Sequence, residues 1–267
     1  MMSAIRVENL TKTFGGASSF FGRGKHEVKA VRDMSLEVRQ GETLAVVGES
    51  GSGKSTLARM LVGLEKPTSG DIEIDGKKRD ELASEGAAAF GKVIQYVFQD
   101  PIASLNPRKT IGAILDTPLS KLCGYDSAKR KTRKRELMDA VEMPSDTLER
   151  YPHEFSGGQA QRIAIARALA AEARIIVLDE PVSALDVSVQ ARVLVLLDDL
   201  KKRLDLSYLF ISHDLAVVEA ISDRVAVLYK GELVELADTE KLFAEPQHDY
   251  TRQLLASAPS LDVPAAA

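Results

Sequence analysis

The chain has 267 residues, of which 45% are hydrophobic and 28% are charged, and its formal net charge is -4. This composition supports a folded core and excludes wholesale disorder, and the length suits one large domain with room for an inserted subdomain. The net charge gives no overall reason to expect nucleic-acid binding. A single cysteine, Cys123, excludes an internal disulfide and a cysteine-rich metal or iron–sulfur site.

Neither a membrane span nor a secretion signal is evident. No apolar run approaches the roughly 20 residues of a membrane-spanning helix. The start, Met1 to Glu8, is too polar for a secretory signal. We therefore expect a soluble protein of a reducing compartment, which reaches a membrane only through a partner.

The first hundred residues are rich in strand patterns. Four stretches predict β-strands: 4–14, 28–38, 43–48 and 71–76. The third is a short apolar run typical of a buried parallel strand, and the fourth alternates like an edge strand. A Gly/Ser/Phe-rich stretch, 15–24, predicts a loop between the first two strands. Apolar residues at helical spacing follow the third strand: Leu57, Met60, Leu61 and Leu64.

Between that third strand and that helix lies Gly48–Ser55, which reads G-E-S-G-S-G-K-S and fits the phosphate-loop pattern. Backbone N–H groups of such a loop form a nest for phosphate oxygens, backed by a helix N-terminus. Lys54 is expected to reach the β- and γ-phosphates, and the Ser55 hydroxyl to coordinate Mg²⁺. The predicted nucleotide-binding residues are Gly48, Glu49, Ser50, Gly51, Ser52, Gly53, Lys54, Ser55 and Thr56.

After a mainly helical middle section, the second half of the chain again alternates between predicted strands and helices. Residues 103–152 are mainly helical in pattern and carry four prolines, which predicts an inserted helical subdomain. Further elements are then predicted: a helix at 163–169, a buried strand at 174–178, a helix with its apolar face over 189–200, a strand at 208–211, and a hairpin of 225–229 with 232–235. The Ala/Pro tail after Pro259 is expected to be frayed.

The predicted strand at 174–178 ends in two carboxylates, Asp179 and Glu180. Taken alone, they read best as solvated charges at a strand end. Beside a complete phosphate loop, Asp179 is expected next to the metal and Glu180 is expected to polarise the attacking water.

From Ile5 to about Pro259 the chain resembles the ATP-binding subunit of an ABC transporter. The order of motifs matches: Gly48–Ser55, Gln99, Phe155–Gln159 (close to the Leu-Ser-Gly-Gly-Gln signature), Asp179-Glu180, Ser183–Asp186 and His213. The resemblance implies an α/β fold, a P-loop NTPase (RecA-like) core with an antiparallel β subdomain and an inserted helical subdomain, and it implies ATP and Mg²⁺ as cofactors. The implied boundaries are 1–102 and 153–235 for the core, 103–152 for the helical subdomain and 236–267 for a C-terminal extension.

The same resemblance assigns catalytic and metal-binding roles. Glu180 would activate water, Gln99 would touch Mg²⁺ and that water and sense the membrane partner, and His213 would contact the γ-phosphate and hold Glu180. Mg²⁺ would be held by Ser55, Gln99 and Asp179.

Other implied roles depend on a second subunit. Four signature residues would bind the γ-phosphate of ATP held on the opposite subunit: Ser156, Gly157, Gly158 and Gln159. Asp186 belongs to the loop that links the two sites. Phe14 would stack on adenine, and Phe20 or Phe21 could do so instead.

Three local matches point to the peptide/nickel importer subfamily: Gln99–Arg108, the insertion between Phe14 and Val28, and the ending Glu245–Leu255. Three residues depart from the pattern: Phe155 for Leu, Val182 for Thr and Asp249 for Pro. We expect this chain to lack the iron–sulfur element of some relatives, given its short tail and single cysteine.

The expected function is the ATP-hydrolysing subunit that powers import of peptides, nickel or a related solute such as glutathione or an opine. Implied partners are a second, different ABC ATPase forming a heterodimer, two membrane permeases and an extracytoplasmic substrate-binding protein, with this chain at the cytoplasmic face of the membrane. The alternative is a soluble ABC ATPase acting on nucleic acid or ribosomes, and an exporter ATPase is disfavoured by the subfamily matches. The basic run 129–135 could touch nucleic acid or lipid, although a solvated helix face is favoured.

Overall fold

The computed structural model describes residues 3–15 and 27–257. Its strands are β1 (Ser3–Phe14), β2 (Val28–Arg39), β3 (Thr43–Val47), β4 (Ser69–Ile74), β5 (Lys77–Lys78), β6 (Ile94–Val97), β7 (Ile175–Asp179), β8 (Ser207–Ile211), β9 (Arg224–Tyr229) and β10 (Glu232–Asp238). Its α-helices are α1 (Lys54–Leu61), α2 (Arg79–Ser84), α3 (Ala87–Val93), α4 (Ile111–Lys121), α5 (Ser127–Ala140), α6 (Gly157–Leu169), α7 (Val187–Leu204), α8 (Leu215–Ile221), α9 (Thr239–Ala244) and α10 (Asp249–Ala256).

The larger sheet has six strands in the order β10-β9-β3-β8-β7-β6, and it is parallel except for the β9–β10 hairpin. Strands β3, β7 and β8 are buried along their whole length. Such strands are covered on both faces, which is why they read as continuous apolar runs. The predicted strands at 43–48, 174–178 and 208–211 are confirmed, and so is the hairpin.

The smaller sheet is antiparallel, with the order β2-β1-β4-β5. The alternating segment 71–76 was expected at an edge, but β4 pairs with β1 on one side and with the two-residue β5 on the other. Its Ile72 and Ile74 are buried while Ser69, Gly70 and Asp71 are exposed. The prediction of an edge strand is wrong because alternation reports one solvated face, which an interior antiparallel strand also has.

Helices α4 and α5 and two 3₁₀ segments, Ser145–Glu149 and Pro152–Glu154, fill the region between β6 and α6. The helical character predicted for 103–152 is confirmed. Helix α6 packs against both α4 and α5, and its apolar residues share one core cluster with theirs. It begins at Gly157, before the predicted start at 163, because Ser156 and Gln159 form a capping box.

The C-terminal helices α9 and α10 lie against the sheet at β3 and β9. Leu242 and Tyr250 form a core cluster with Val47 and Val227. The tail after Pro259 lies outside the described residues. Within the described ranges, none of the helices has the combination of length and apolarity that crossing a membrane requires.

Candidate active site

The loop Gly48–Ser55 joins β3 to α1, and two of its glycines lie close to backbone carbonyl groups of other strands. Gly48 and Gly53 have φ of +142° and +104°. A Cβ at Gly48 would lie 2.1 Å from the carbonyl oxygen of Leu228, and one at Gly53 would lie 2.3 Å from that of Ala30. Only glycine satisfies both the backbone angle and the space there. The loop is therefore held between β2 and β9.

Lys54 and Ser55 bring the loop toward the end of β7. The Lys54 Nζ donates to the carbonyl oxygens of Gly48 at 2.6 Å and Glu49 at 2.8 Å. Burial lowers the pKa of Lys54, an effect opposed by the nearby carboxylates. The Ser55 hydroxyl donates to Asp179 Oδ1 at 3.3 Å. The predicted phosphate-loop and strand-end residues thus meet at one place.

Tyr96 completes the contacts of Asp179, and sequence analysis missed it. Its hydroxyl donates to Asp179 Oδ2 at 2.5 Å, and both residues are buried. Burial and the carboxylate raise the pKa of Tyr96, so the phenol is a neutral donor at physiological pH. The available signal was a tyrosine flanked by the apolar residues Ile94 and Val97, because a buried tyrosine hydroxyl needs a partner.

Replacing Tyr96 by Phe is expected to lower the free energy of unfolding by about 1.5–3 kcal/mol, since a buried hydrogen bond to a charged group is lost. The matched control is Tyr125→Phe, which removes an exposed hydroxyl–carboxylate contact to Glu172 at 2.7 Å. That change should cost at most about 0.5 kcal/mol. Urea unfolding of both variants measures the difference. Equal losses in the free energy of unfolding would show that the Tyr96 hydrogen bond contributes no more than the exposed one of Tyr125.

Glu180 lies between two polar side chains. Its Oε2 accepts from Gln99 Nε2 at 2.7 Å, and its Oε1 is 3.3 Å from His213 Nδ1. The Glu180 N–H donates to the carbonyl oxygen of Ile211 at 2.9 Å, which ties it to β8. Two of the residues predicted to be catalytic, Gln99 and His213, therefore both contact the third, Glu180.

The backbone at Glu180 is also unusual, since its φ is +48°. Non-glycine residues adopt this region rarely and at a cost of about 1–3 kcal/mol, and such residues cluster at active sites. The Glu180 side chain is 18% exposed and that of His213 is 61% exposed. The carboxylate is thus held by Gln99 and His213 and remains partly exposed to water.

The signature residues lie elsewhere. Ser156 precedes α6, and its N–H donates to Gln159 Oε1 at 3.0 Å. A cavity of 370 Å³ is lined by Ser156, Gly158 and Gln159 together with Arg162 and Arg192, and no phosphate-loop residue lines it. Among the described residues, no hydrogen bond joins 156–159 to 48–56. One chain alone does not bring the two motifs together.

Gly158 also has a packing role. A Cβ there would lie 2.4 Å from Val189 Cγ1 on α7, whereas a Cβ at Gly157 would lie 3.3 Å from Leu185 Cδ2. Valine is stiff in a helix and cannot swing away, while the end of a leucine side chain can move. Gly158 therefore lets α6 approach α7.

Gly158→Ala is expected to destabilise the fold by about 1–3 kcal/mol through overpacking. Gly157→Ala is the control and should cause no loss, since alanine is favoured over glycine in a helix by roughly 1 kcal/mol. Adding Val189→Ala to Gly158→Ala should restore much of the loss in thermal unfolding. If Val189→Ala gave no recovery, the steric explanation would be wrong.

Comparison with known proteins identifies the family. Residues 31–183, more than half of the chain, match the family described as ABC transporter. The chain belongs to that family. It is thus an ABC ATPase that binds and hydrolyses ATP, and a second match covers residues 234–267, to the family described as oligopeptide/dipeptide transporter, C-terminal region.

Curated relatives and solved structures agree with this assignment. The ABC ATPase is 52% identical to a peptide import ATP-binding protein of Brucella ovis over 235 residues, which are 88% of this chain and 74% of the relative. It is 51% identical to the dipeptide transport ATP-binding protein DppF of Haemophilus influenzae, over 88% of this chain and 72% of the relative.

Two solved structures show the same fold. The dimeric post-hydrolysis structure of the ATP-binding cassette MJ0796, bound to ADP and Pi, has a TM-score of 0.76 and 30% identity over 88% of this chain and 98% of that one. The cbiO1 structure from Clostridium perfringens, part of the ABC transporter complex cbiONQ, has a TM-score of 0.77 and 26% identity over 91% of each chain. The predicted α/β P-loop NTPase fold is confirmed.

Two further predicted residues of this ABC ATPase lie at element ends. Asp186 caps α7, and its Oδ1 accepts from the Val189 N–H at 3.0 Å and the Ser188 hydroxyl at 2.7 Å, contacts that lower its pKa. Phe14 ends β1, is 39% exposed, and has Lys12 Nζ 4.7 Å from its ring centroid. It pairs with Val28, two residues from the Ala30 carbonyl that touches the phosphate loop. Phe20 and Phe21 lie outside the described residues.

The departures from the subfamily pattern fit their surroundings. Phe155 and Val182 are buried apolar residues of one core cluster. Asp249 is the first residue of α10, with His248 as its cap, and it pairs with Arg252. Proline is favoured at that first position, and an acidic residue is stabilised there by the helix dipole. Asp249 therefore preserves the start of the helix by a different means.

Three of the six cations in the basic run 129–135 on α5 pair with this chain's own carboxylates. Arg130 and Lys134 both contact Asp116, and Arg133 contacts Glu136 and Glu172. These contacts favour the interpretation of the run as a helix face with structural ion pairs.

Proposed function

We propose that this ABC ATPase powers the import of peptides. The observation that carries the proposal is that one chain matches both the ABC transporter family and the oligopeptide/dipeptide transporter C-terminal region. Relatives named for peptide import and dipeptide transport are about half identical to it over most of its length. Nickel transport is a variant of the same subfamily and is the alternative cargo.

Action on nucleic acid or ribosomes is not favoured. The chain carries a formal net charge of -4, and three of the six cations in the basic run 129–135 are paired with carboxylates of the fold. Proteins that neutralise phosphates need free lysine and arginine side chains. The family match to a transporter C-terminal region favours transport instead.

ATP would be held by the phosphate loop, residues 48–56, with its triphosphate against the N-terminus of α1. The loop backbone supplies N–H groups, and Lys54 supplies a buried ammonium group. Phe14, which has an exposed aromatic ring, would stack on adenine, and Phe20 or Phe21 could do so instead.

The residues present fit a magnesium ion. The Ser55 hydroxyl and Asp179 Oδ1 are 3.3 Å apart, and Mg²⁺ prefers oxygen ligands. The described part of the chain has no group of three or more His, Cys, Asp or Glu that could hold a metal. Ser55, Asp179 and Gln99 would therefore share the ion with phosphate oxygens and water. When bound, Mg²⁺ would neutralise charge on the phosphates.

The chemistry proposed for Glu180 is positioning and proton transfer. Glu180 would orient a water molecule and accept its proton while the water oxygen bonds to the γ-phosphorus. The bond to the bridging oxygen breaks, and its electron pair leaves on ADP. His213 and Gln99 hold the two carboxylate oxygens at 3.3 and 2.7 Å, which fixes the direction of attack.

A second cassette would complete the site. The signature lies in a cavity apart from the phosphate loop of its own chain, so Ser156–Gln159 would face ATP on the partner. Asp186, beside it at the start of α7, would lie at the same interface. The MJ0796 cassette with ADP and Pi is a dimer. We propose that the partner here is a different subunit, giving a heterodimer.

A cavity of 540 Å³ beside β6 is the proposed docking site for a permease. Apolar side chains line much of it, including Leu64, Phe90 and Phe98. Leu64 is 59% exposed and Phe98 is 39% exposed, and Phe98 directly precedes Gln99. A cytoplasmic segment of the permease in this groove would touch Phe98, the neighbour of Gln99, and Gln99 contacts Glu180. These contacts would couple movement of the permease to ATP hydrolysis. This docking would place the chain at the cytoplasmic face of the membrane.

The test is purification of the intact assembly from its native membrane through a tag on this chain. We expect two permeases, a second ABC ATPase and an extracytoplasmic binding protein to co-purify. Mass spectrometry of the ligand released from that binding protein should show peptides. A nickel chelate would instead establish the alternative cargo, and co-purification with nucleic acid or ribosomes would contradict the proposal.

A further inference from the structure

The C-terminal helix α10 reaches the phosphate loop, a contact that the catalytic scheme does not use. The Tyr250 hydroxyl accepts the backbone N–H of Glu49 at 3.0 Å, across 201 residues of sequence. Tyr250 is 7% exposed, and its ring centroid is 4.2 Å from that of Tyr229. The hydroxyl is therefore a fixed acceptor next to the start of the loop.

The bonded group is the peptide unit between Gly48 and Glu49. Its N–H donates to Tyr250, and its carbonyl oxygen, on Gly48, accepts from Lys54 Nζ at 2.6 Å. A peptide unit is planar, so fixing one end fixes the direction of the other. Gly48 has a φ of +142° and no side chain to restrain it. The hydroxyl thus sets the orientation of a peptide that contacts the phosphate-binding lysine.

The position of Tyr250 is itself held by several contacts. His248 Nδ1 accepts the Tyr250 N–H at 3.1 Å and caps α10. The Glu235 carboxylate of β10 accepts the N–H groups of Gln247 at 2.8 Å and His248 at 2.9 Å. The ring packs in a cluster with Val47, which ends the strand leading into the loop. Little freedom is left for the hydroxyl to move.

We propose that Tyr250 is a positioning residue for ATP, whose hydroxyl fixes the Gly48–Glu49 peptide and, through it, Lys54. The C-terminal region that matches the oligopeptide/dipeptide family would then tune the affinity of the phosphate loop. The inference depends on ATP binding, which family membership shows, and not on the identity of the imported solute.

Tyr250→Phe keeps the ring and removes the acceptor. The KM for ATP should rise about fivefold, the factor that corresponds to a neutral hydrogen bond of about 1 kcal/mol, while kcat stays within about twofold. Hydrogen–deuterium exchange at the Glu49 amide of the full chain without nucleotide should become faster. Tyr229→Phe is the matched control, because it keeps the neighbouring ring and its hydroxyl makes no hydrogen bond to the loop. It should change neither quantity.

A second variant tests the route of the effect. His248→Ala removes the cap of α10 and should raise the KM for ATP in the wild-type background, but it should add little to Tyr250→Phe. Unchanged exchange at Glu49 together with an unchanged KM in Tyr250→Phe would overturn the proposal. A fall in kcat with KM unaltered, or fully additive effects of His248→Ala, would overturn it as well.

Discussion

Glu180→Gln should lower ATP hydrolysis by at least about 100-fold while ATP binding is retained, because a positioned general base contributes roughly 10²–10⁴ to the rate. The amide has nearly the same shape as the carboxylate but cannot accept the proton of the attacking water. Phosphate release at saturating ATP measures the loss, and a fluorescent ATP analogue measures the binding. Glu219→Gln on α8 is the control, since Glu219 is exposed, and it should leave both unchanged.

The same variant should trap a closed pair of cassettes in the presence of ATP. Light scattering after gel filtration should then show that ATP doubles the mass from that of one cassette to that of two. The pair would consist of two copies of this chain, or of this chain and its co-purified partner cassette. Adding Ser156→Arg should abolish that doubling and leave ATP binding intact, since Ser156 would face ATP on the other subunit. Hydrolysis near the wild-type rate in Glu180→Gln would refute its role as base.

Lys54→Ala should weaken ATP binding by roughly 100-fold, since hydrogen bonds to charged groups contribute about 1.5–3 kcal/mol each. Lys54 is 6% exposed, and burial penalises its charge until a negatively charged phosphate offsets it. Isothermal titration with ATP measures the change. Lys230→Ala removes an exposed cation one residue before Gly231, which bonds to the loop at Ser52, and should alter affinity less than threefold. Equal effects of the two changes would mean that general positive charge, not Lys54, binds the phosphates.

Lys54 also predicts a pH effect on stability. Burial lowers its pKa in the folded state, so the unfolded state binds more protons in the range below the ordinary lysine pKa of about 10.4. The free energy of unfolding should therefore rise with pH through that range in the wild type. Lys54→Ala should lack this contribution, and urea unfolding at a series of alkaline pH values would detect the difference in slope.

The sequence predicts best where a local pattern determines the structure. Gly48–Ser55 is a complete motif between a strand and a helix, and both elements follow from apolar spacing. The buried strands β3, β7 and β8 are short apolar runs and were also found. The two tyrosine contacts could not be predicted in this way, because Tyr96 meets Asp179 across 83 residues and Tyr250 meets Glu49 across 201.

Other differences between the predicted and the observed strands and helices have local causes. The edge assignment for β4 failed because alternation describes faces and not neighbours. Helices α2 and α3 have six and seven residues, too short for a periodic pattern to stand out. The apolar pattern predicts a start of α6 at 163 and not at Gly157, because the first turn carries two glycines. Only the capping box of Ser156 and Gln159 marks the true boundary.

Reconstitution of the transporter tests whether ATP hydrolysis by this chain drives the uptake of peptides. The assembly purified through this chain would be placed in lipid vesicles with ATP on the side of the ABC ATPase and the peptide-loaded binding protein on the other. We expect peptide accumulation and stimulated ATP hydrolysis, both lost with Glu180→Gln and both kept with Glu219→Gln. Peptide accumulation that persists with Glu180→Gln, or stimulation by a nickel chelate and by no peptide, would contradict this expectation.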